Sequence, residues 1–213
     1  MSDVEIDLAL SQVQAMAYRK KINASSWNDN YEDLISQWGE KAAALRFMHN
    51  NSARYWRRIS NNLGIYSILA TTVASAASLV GGSIDDSNAK DVVLFTAGGI
   101  GLVTSCVQSL NKFYNAEEKA AEHASIAKQF GAFYRYIILQ MGMSREDRIP
   151  SDELSDWALK EYERLQQGAL PLRNEDIKLY KKNFSKSTGA SPDICSNDLS
   201  IPIYGRTYSI DQN

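Results

Sequence analysis

The sequence predicts an all-α fold: a two-span transmembrane helical hairpin continued as a long antiparallel coiled-coil stalk, with peripheral helices and an extended C-terminal tail. Three observations predict it. Two uncharged apolar runs, Ile59 to Ile84 and Val92 to Asn111, are each long enough to cross a hydrocarbon core of roughly 30 Å as a helix at about 1.5 Å rise per residue. A short acidic turn, Asp85-Asp86-Ser87-Asn88-Ala89-Lys90-Asp91, joins them. On the far side of each run, apolar and small residues recur in steps of three and four. Steps averaging 3.5 residues mark the seam of a coiled coil. The segments expected are 1–26 as an N-terminal amphipathic helix, 27–143 as stalk plus hairpin with spans at about 63–82 and 91–110, 144–182 as peripheral helices, and 183–213 as the tail.

Val4 to Ile22 places Ile6, Leu10, Val13 and Ala17 on one helical face, and Ala24-Ser25-Ser26 is expected to end that helix. From about Trp27 a helix without proline runs into the first span, with Trp38, Ala42, Leu45, His49, Ser52, Trp56, Ile59 and Leu63 as its seam. Beyond the second span the seam is Leu110, Phe113, Glu117, Ala120, Ala124, Ala127, Gly131, Tyr134, Ile138 and Met141, in one continuous helix. With the turn centred near Asp86, residues whose numbers sum to about 173 lie level. That brings His49 beside His123 and Arg54 to Arg58 beside Glu117 and Glu118. The histidines read either as ordinary polar seam residues or as a pH-sensitive or metal-binding contact.

Within the spans, Ser67, Thr71, Ser75 and Ser78 form one small-residue stripe, and Ala97, Gly101, Ser105 and Gln108 form another. Such stripes let membrane helices approach closely and let hydroxyls bond across helices. Their bland use is packing within the hairpin; their sharper use is lining a pore in a homo-oligomer, where an uncharged lining gives little ion selectivity. A soluble helix ordinarily keeps a charged face, which neither run has. A hairpin buried in a soluble bundle is the alternative that the polar residues of the runs keep open. Arg54, Arg57 and Arg58 before the first run, with Lys112 and Lys119 after the second, put both long flanks and both termini on the cytosolic side.

Met143 to Ile149 is a charged connector ended by Pro150. Ser151 is expected to cap the next helix, with Asp152 and Glu153 in its first turn, Gly168 at its close, and Leu154, Trp157, Ala158, Glu161 and Leu165 inward. A shorter helix follows from Asn174 to Lys182. Past Asn183 the composition turns to Ser, Thr, Asn, Gly and Pro, with isolated Ile201, Ile203, Tyr204 and Tyr208. Their spacing suits strand addition to a protein partner for residues 183–213.

The whole chain excludes several classes of function. A net charge of −2 and no basic patch interleaved with aromatics leave no footprint for nucleic acid. The acidic start lacks the basic and apolar segments of a cleavable signal. Cys106 and Cys195 form neither a disulfide framework nor a metal motif. Ala97-Gly98-Gly99-Ile100-Gly101 lies within an apolar helix and has no phosphate-binding Lys. No catalytic, cofactor or metal motif is found, and the chain reads as a non-enzyme with the lipid bilayer as its first partner.

Tyr55-Trp56-Arg57-Arg58 before the first span, the short turn, and Phe113 with Glu118-Lys119-Ala120-x-x-His123-x-x-x-Ala127-x-x-Phe130 after the second resemble the SLATT family, over roughly Trp27 to Met143. These are two-transmembrane domains associated with SMODS nucleotidyltransferases and SLOG sensors. The resemblance implies a membrane effector that forms pores when a nucleotide-based conflict system fires. Similar two-span proteins occur in large DNA viruses, which implies as the other role a minor-capsid-like protein anchoring a virion internal membrane. The C-terminal part departs from a bare effector, and the 213 residues hold no attached sensor or nucleotidyltransferase domain.

Overall fold

The computed structural model describes residues 3–184 and 189–196, and every regular element in that range is a helix. In order these are α1 (Asp3–Ser26), α2 (Asp29–Gly82), α3 (Ser87–Tyr114), α4 (Ala116–Met141), α5 (Ser151–Gln167) and α6 (Asn174–Asn183). They form two compact units, one from residues 50–125 and the other from residues 1–49 and 126–213, so α2 and α4 each contribute to both.

The unit built from the two chain ends is organised around large side chains. Ile35, Met48, Phe130 and Leu154 are fully buried, and Trp27, Phe133, Ile137, Tyr162 and Leu165 surround them. The α5 face turned inward is wider than the expected one, because Tyr162 joins Leu154, Ala158 and Leu165 while Trp157 and Glu161 are half-buried. Trp157 stacks on Phe133 with ring centroids 5.5 Å apart and meets Tyr136 at 4.4 Å. Burying several aromatics in mutual offset and tilted contact is the strongest apolar contribution available to a body this small. Gly39 has a steric role here: a Cβ in its place would lie 3.0 Å from Ile137 Cγ2, so its absence lets α2 and α4 approach closely.

Several elements differ from expectation. The α1 helix runs through Ala24 and Ser25 to Ser26, and Ser25 and Ser26 hydroxyls donate back to the carbonyls of Ile22 and Asn23. Val13, Met16, Tyr18 and Ile22 are exposed, so α1 is held at its C-terminal end rather than along an apolar face; the side chains of Ile6 and Leu10 lie outside the described residues. That end is fixed by Asn23, whose amide donates to the Arg148 carbonyl at 2.9 Å. Ser151 does not cap α5. It is the first helical residue, following Pro150, and its hydroxyl donates to the Ser26 carbonyl at 2.6 Å while its N–H donates to Ser26 Oγ. Its capping capacity is spent on a tertiary contact instead of its own helix. Ile201, Ile203, Tyr204 and Tyr208 lie outside the described residues.

The charged connector between α4 and α5 is tied down by ions. Glu32, in the first turn of α2, accepts from Arg145 Nε at 2.8 Å and from Arg148 Nη1, and Arg145 also donates to Asp29 at 2.6 Å. Arg148 is buried, donates to the carbonyls of Met141 and Met143, and lies over the Trp27 ring at 5.1 Å. A buried guanidinium is tolerable because each of its three nitrogens donates to an acceptor, one of them a carboxylate. The hydrogen bond from Arg145, with that from Arg148 and the positive charge of both, holds the Glu32 carboxyl down to about 2.

A carboxylate with a depressed folded-state pKa stabilises above its ordinary value of about 4.3, and that stability is lost as pH falls through the folded value. The Glu32 contribution is therefore full at neutral pH and disappears between roughly pH 4.5 and 2. Glu32→Gln is expected to cost about 1–3 kcal/mol at pH 7 and to flatten this part of the acid-denaturation curve, measured by circular dichroism against pH.

Candidate functional site

The 50–125 unit contains the sequence's two apolar runs, and its construction is the reverse of the other unit's. Among the buried or half-buried residues are Ser67, Ala70, Ala74, Ala77 and Gly81 on α2 and Val93, Ala97, Ile100, Thr104 and Val107 on α3. Both sets advance by alternating threes and fours, so each follows one stripe of its helix. Most of these side chains are small. Adding a Cβ at Gly81 would place it 3.1 Å from Leu94 Cδ2 and 3.2 Å from Val93 Cγ1.

Three contacts set the register between the arms: Trp56 with Lys119, whose ammonium sits 4.7 Å from the ring centroid; Ser67 with Gln108, whose amide donates to the hydroxyl at 2.7 Å; and Gly81 with Leu94. The contacts are met in reverse order along the two arms, and the paired numbers sum to 175 each time. A register centred on Asp86 would give a smaller sum. The difference has a local cause: α2 ends at Gly82, and α3 begins at Ser87, inside the expected turn, because the Asp86 carboxylate caps it by accepting the Asn88 N–H at 3.1 Å.

The large apolar side chains point away from that stripe. Ile65, Tyr66, Ile68, Leu69, Val73, Leu79, Val92, Phe95, Leu102, Val103, Leu110 and Phe113 are all exposed, Phe95 by 84 % and Leu79 by 79 %. Two helices of the fold are long and apolar enough to cross a membrane. Of the expected stripes, Ser67 and Ala97 are buried and Gly101 is half-buried, whereas Thr71, Ser75, Ser78, Ser105 and Gln108 are exposed. Ala70, Ala74 and Ala77 occupy the positions between the arms on α2, since alanine permits closer backbone approach than the hydroxyl residues beside it.

Several of the exposed hydroxyls are nevertheless hydrogen-bonded. Thr72, Ser78, Thr96, Ser105 and Ser109 each donate to the carbonyl four residues earlier in the same helix, at 2.7–2.9 Å. Thr104, buried, does the same to Ile100 at 2.8 Å. This back-bonding satisfies the hydroxyl without water. One side of the unit carries an open groove of 1470 Å³, with Thr71, Ser75, Ser105 and Gln108 among its polar lining and Ile68 and Leu79 among its apolar lining.

At the other end of α3 the expected continuous helix is broken. Asn115 adopts φ 46 and ψ 44, the left-handed region, and its N–H closes α3 onto the carbonyls of Asn111 and Lys112 before α4 starts at Ala116. The buried face of α4 matches the expected seam only in part, at Ala120, Ala127 and Gly131. Ala116, Ala120, His123, Ala127, Phe130 and Ile137 are buried on α4, while Phe113, Glu117 and Ile138 of the expected seam are exposed and Ala124 and Tyr134 are half-buried. On α2 the buried positions include Ala42, Leu45, His49 and Ser52, with Trp38 and Trp56 half-buried. His49 stacks on Phe130 at 5.9 Å within its own unit, and His123 is buried in the other. Among the described residues Arg54, Arg57 and Arg58 form no ion pair with Glu117 or Glu118; Lys119 covers Trp56 instead. Nor does any group of three or more His, Cys, Asp or Glu among those residues stand ready to hold a metal.

No protein-family model, curated protein or solved structure matches the chain. The reading of its function therefore rests on the physical chemistry of these helices.

Three variants separate the roles of Gly81 and of Asn115. Gly81→Leu is expected to force the arms apart and to cost about 1–3 kcal/mol in detergent, seen as a lowered Tm by circular dichroism. Asn115→Gly should be tolerated and Asn115→Val should cost about 1–2 kcal/mol, because a β-branched residue resists the left-handed conformation.

Proposed function

We propose that the chain is a non-enzymatic, two-span integral membrane protein, in which residues 50–125 cross the bilayer as an antiparallel helical hairpin extended into a coiled-coil stalk. The observation that carries this reading is the outward display of large apolar side chains around an inward stripe of small ones. In water that arrangement exposes the surface that folding should hide; in lipid it is the expected one, since helices there associate by close approach and not by burying Leu and Phe. Residues 62–82 rise about 30 Å, the thickness of a hydrocarbon core. Tyr66, Phe113 and Tyr114 are exposed toward the basic end of the hairpin, as interfacial aromatics would be, with the acidic turn at the other end. Both termini then lie on the cytosolic side.

The hairpin self-associates in this proposal. Gly98, Gly99 and Gly101 have open space within 4 Å of where a Cβ would stand, so nothing in the chain itself requires glycine there. Each costs about 1 kcal/mol of helix propensity relative to alanine. Close approach by a second copy supplies a reason, and the neighbouring Thr71, Ser75, Ser105 and Gln108 would line the resulting assembly. Through the SLATT resemblance this becomes a pore-type effector or scaffold. A second reading is a membrane anchor that holds the separate helical body formed by the chain ends against a neighbouring protein in a large viral assembly. It is favoured by that body's own packed core.

The full chain is expected to resist alkaline carbonate extraction from membranes and to release dye from liposomes. Gly98→Leu combined with Gly101→Leu should leave insertion intact, abolish cross-linked oligomers and lower dye release about tenfold or more. Insertion with tight liposomes would reject the pore and retain the anchor; a chain monodisperse in buffer without detergent would reject both.

A further inference from the structure

One face of α2 changes character in an ordered way along its length. Arg54, Arg57 and Arg58, at spacings of three and four, project from one side of the helix and are exposed. The same side continues through exposed Asn61 and then through Ile65, Ile68 and Leu69, exposed by 56 %, 68 % and 58 %. Guanidinium, then amide, then branched aliphatic, over about 16 Å from Arg58 to Leu69, is the order in which a phospholipid presents phosphate, glycerol ester and acyl chain.

The arginines are available for this. Among the described residues none of the three is ion-paired, and exposed guanidinium groups bind phosphate oxygens through paired N–H donors. The same unit carries exposed Lys112 and half-buried Lys119, against exposed Glu117, Glu118 and Glu122. Five cations against three carboxylates leave this end net positive. The opposite end, at Asp85, Asp86, Asp91 and Lys90, is net negative and would repel the same headgroups.

We infer that the Arg54, Arg57 and Arg58 face is a docking surface for anionic phospholipid, its guanidinium groups holding the headgroup phosphate and Ile65, Ile68 and Leu69 lying along the acyl chains. This rests on the membrane reading above and adds a lipid class to it. Basic residues beside a span attract anionic leaflets with roughly a fivefold gain in local concentration per charge, before screening and before the opposing carboxylates are counted.

The test reconstitutes the full chain in phosphatidylcholine vesicles with a minor fraction of phosphatidylglycerol, extracts it in styrene–maleic acid discs, and compares the lipid in the discs with the bulk. Phosphatidylglycerol should be enriched about threefold or more around the wild-type chain, and the enrichment should fall when salt is raised before extraction. R54Q/R57Q/R58Q should return the ratio to that of the bulk, and E117Q/E118Q should raise it above wild type. Should the triple variant fail to insert, the wild-type salt response and the glutamate variant still decide the matter. Discs holding protein with lipid at the bulk ratio overturn the anionic-lipid inference and leave the membrane reading standing. Protein left in the aqueous fraction overturns that reading itself.

Discussion

Two helical backbones can approach only as closely as the side chains between them permit, and in residues 50–125 those side chains are mostly alanine, serine, threonine and glycine. Ala70, Ala74, Ala77 and Gly81 on α2 and Ala97 and Thr104 on α3 leave little volume at the contact. Most larger apolar residues of these arms are consequently displaced outward, and the unit presents leucine, isoleucine, valine and phenylalanine to its surroundings. A pair of helices so arranged buries too little apolar area to be held together by water, so the nature of the surrounding solvent becomes part of its stability.

The unit assembled from the chain ends obeys the opposite rule. Phe130, Met48, Ile35 and Leu154 are enclosed, the aromatic rings of Phe133, Trp157 and Tyr136 pack together, and most polar residues of α5 and α6 face outward, Ser151 and Asp176 excepted. Charge is used for fastening: Glu32 with Arg145 and Arg148, Lys20 with Asp147, and Lys41 with Asp193 join segments far apart in sequence. Most of these pairs are near solvent, where each contributes little, but Arg148 is enclosed by two carbonyls, a carboxylate and the Trp27 ring, and its loss would leave several acceptors unpaired. The two rules meet inside single helices, since α2 and α4 serve both units.

Hydrogen bonding reconciles the polar content of the apolar arms with their exposure. A serine or threonine in a helix can return its hydroxyl proton to the carbonyl one turn back, and Thr72, Thr96, Ser105 and Ser109 all do so. Their polarity is thereby largely spent within the helix. Gln108 is different, since its amide reaches across to Ser67 and joins the arms where a carbon side chain would only touch.

The helical character of the chain, the extent of its two uncharged runs and the start of its amphipathic α5 were legible because each depends on composition and on the 3.6-residue period alone. What lies between the arms was not. Ser67, Thr71, Ser75 and Ser78 and the run Ala70, Ala74, Ala77 are both small-residue stripes, and only the register set by Trp56 with Lys119 and Gly81 with Leu94 selects the second. That register in turn depends on Asp86 capping α3 within the expected turn; beyond the left-handed Asn115 the buried face of α4 keeps Ala120, Ala127 and Gly131 of the expected seam and turns Glu117 and Ile138 outward. Ser151 shows the same limit, its hydroxyl taken by Ser26 across a gap no local rule describes. The sequence by itself determined which segments are helical and which are apolar, because those are properties of neighbours along the chain. The tertiary structure alone decided which side of each helix turns inward, because that depends on contacts between residues far apart in the chain.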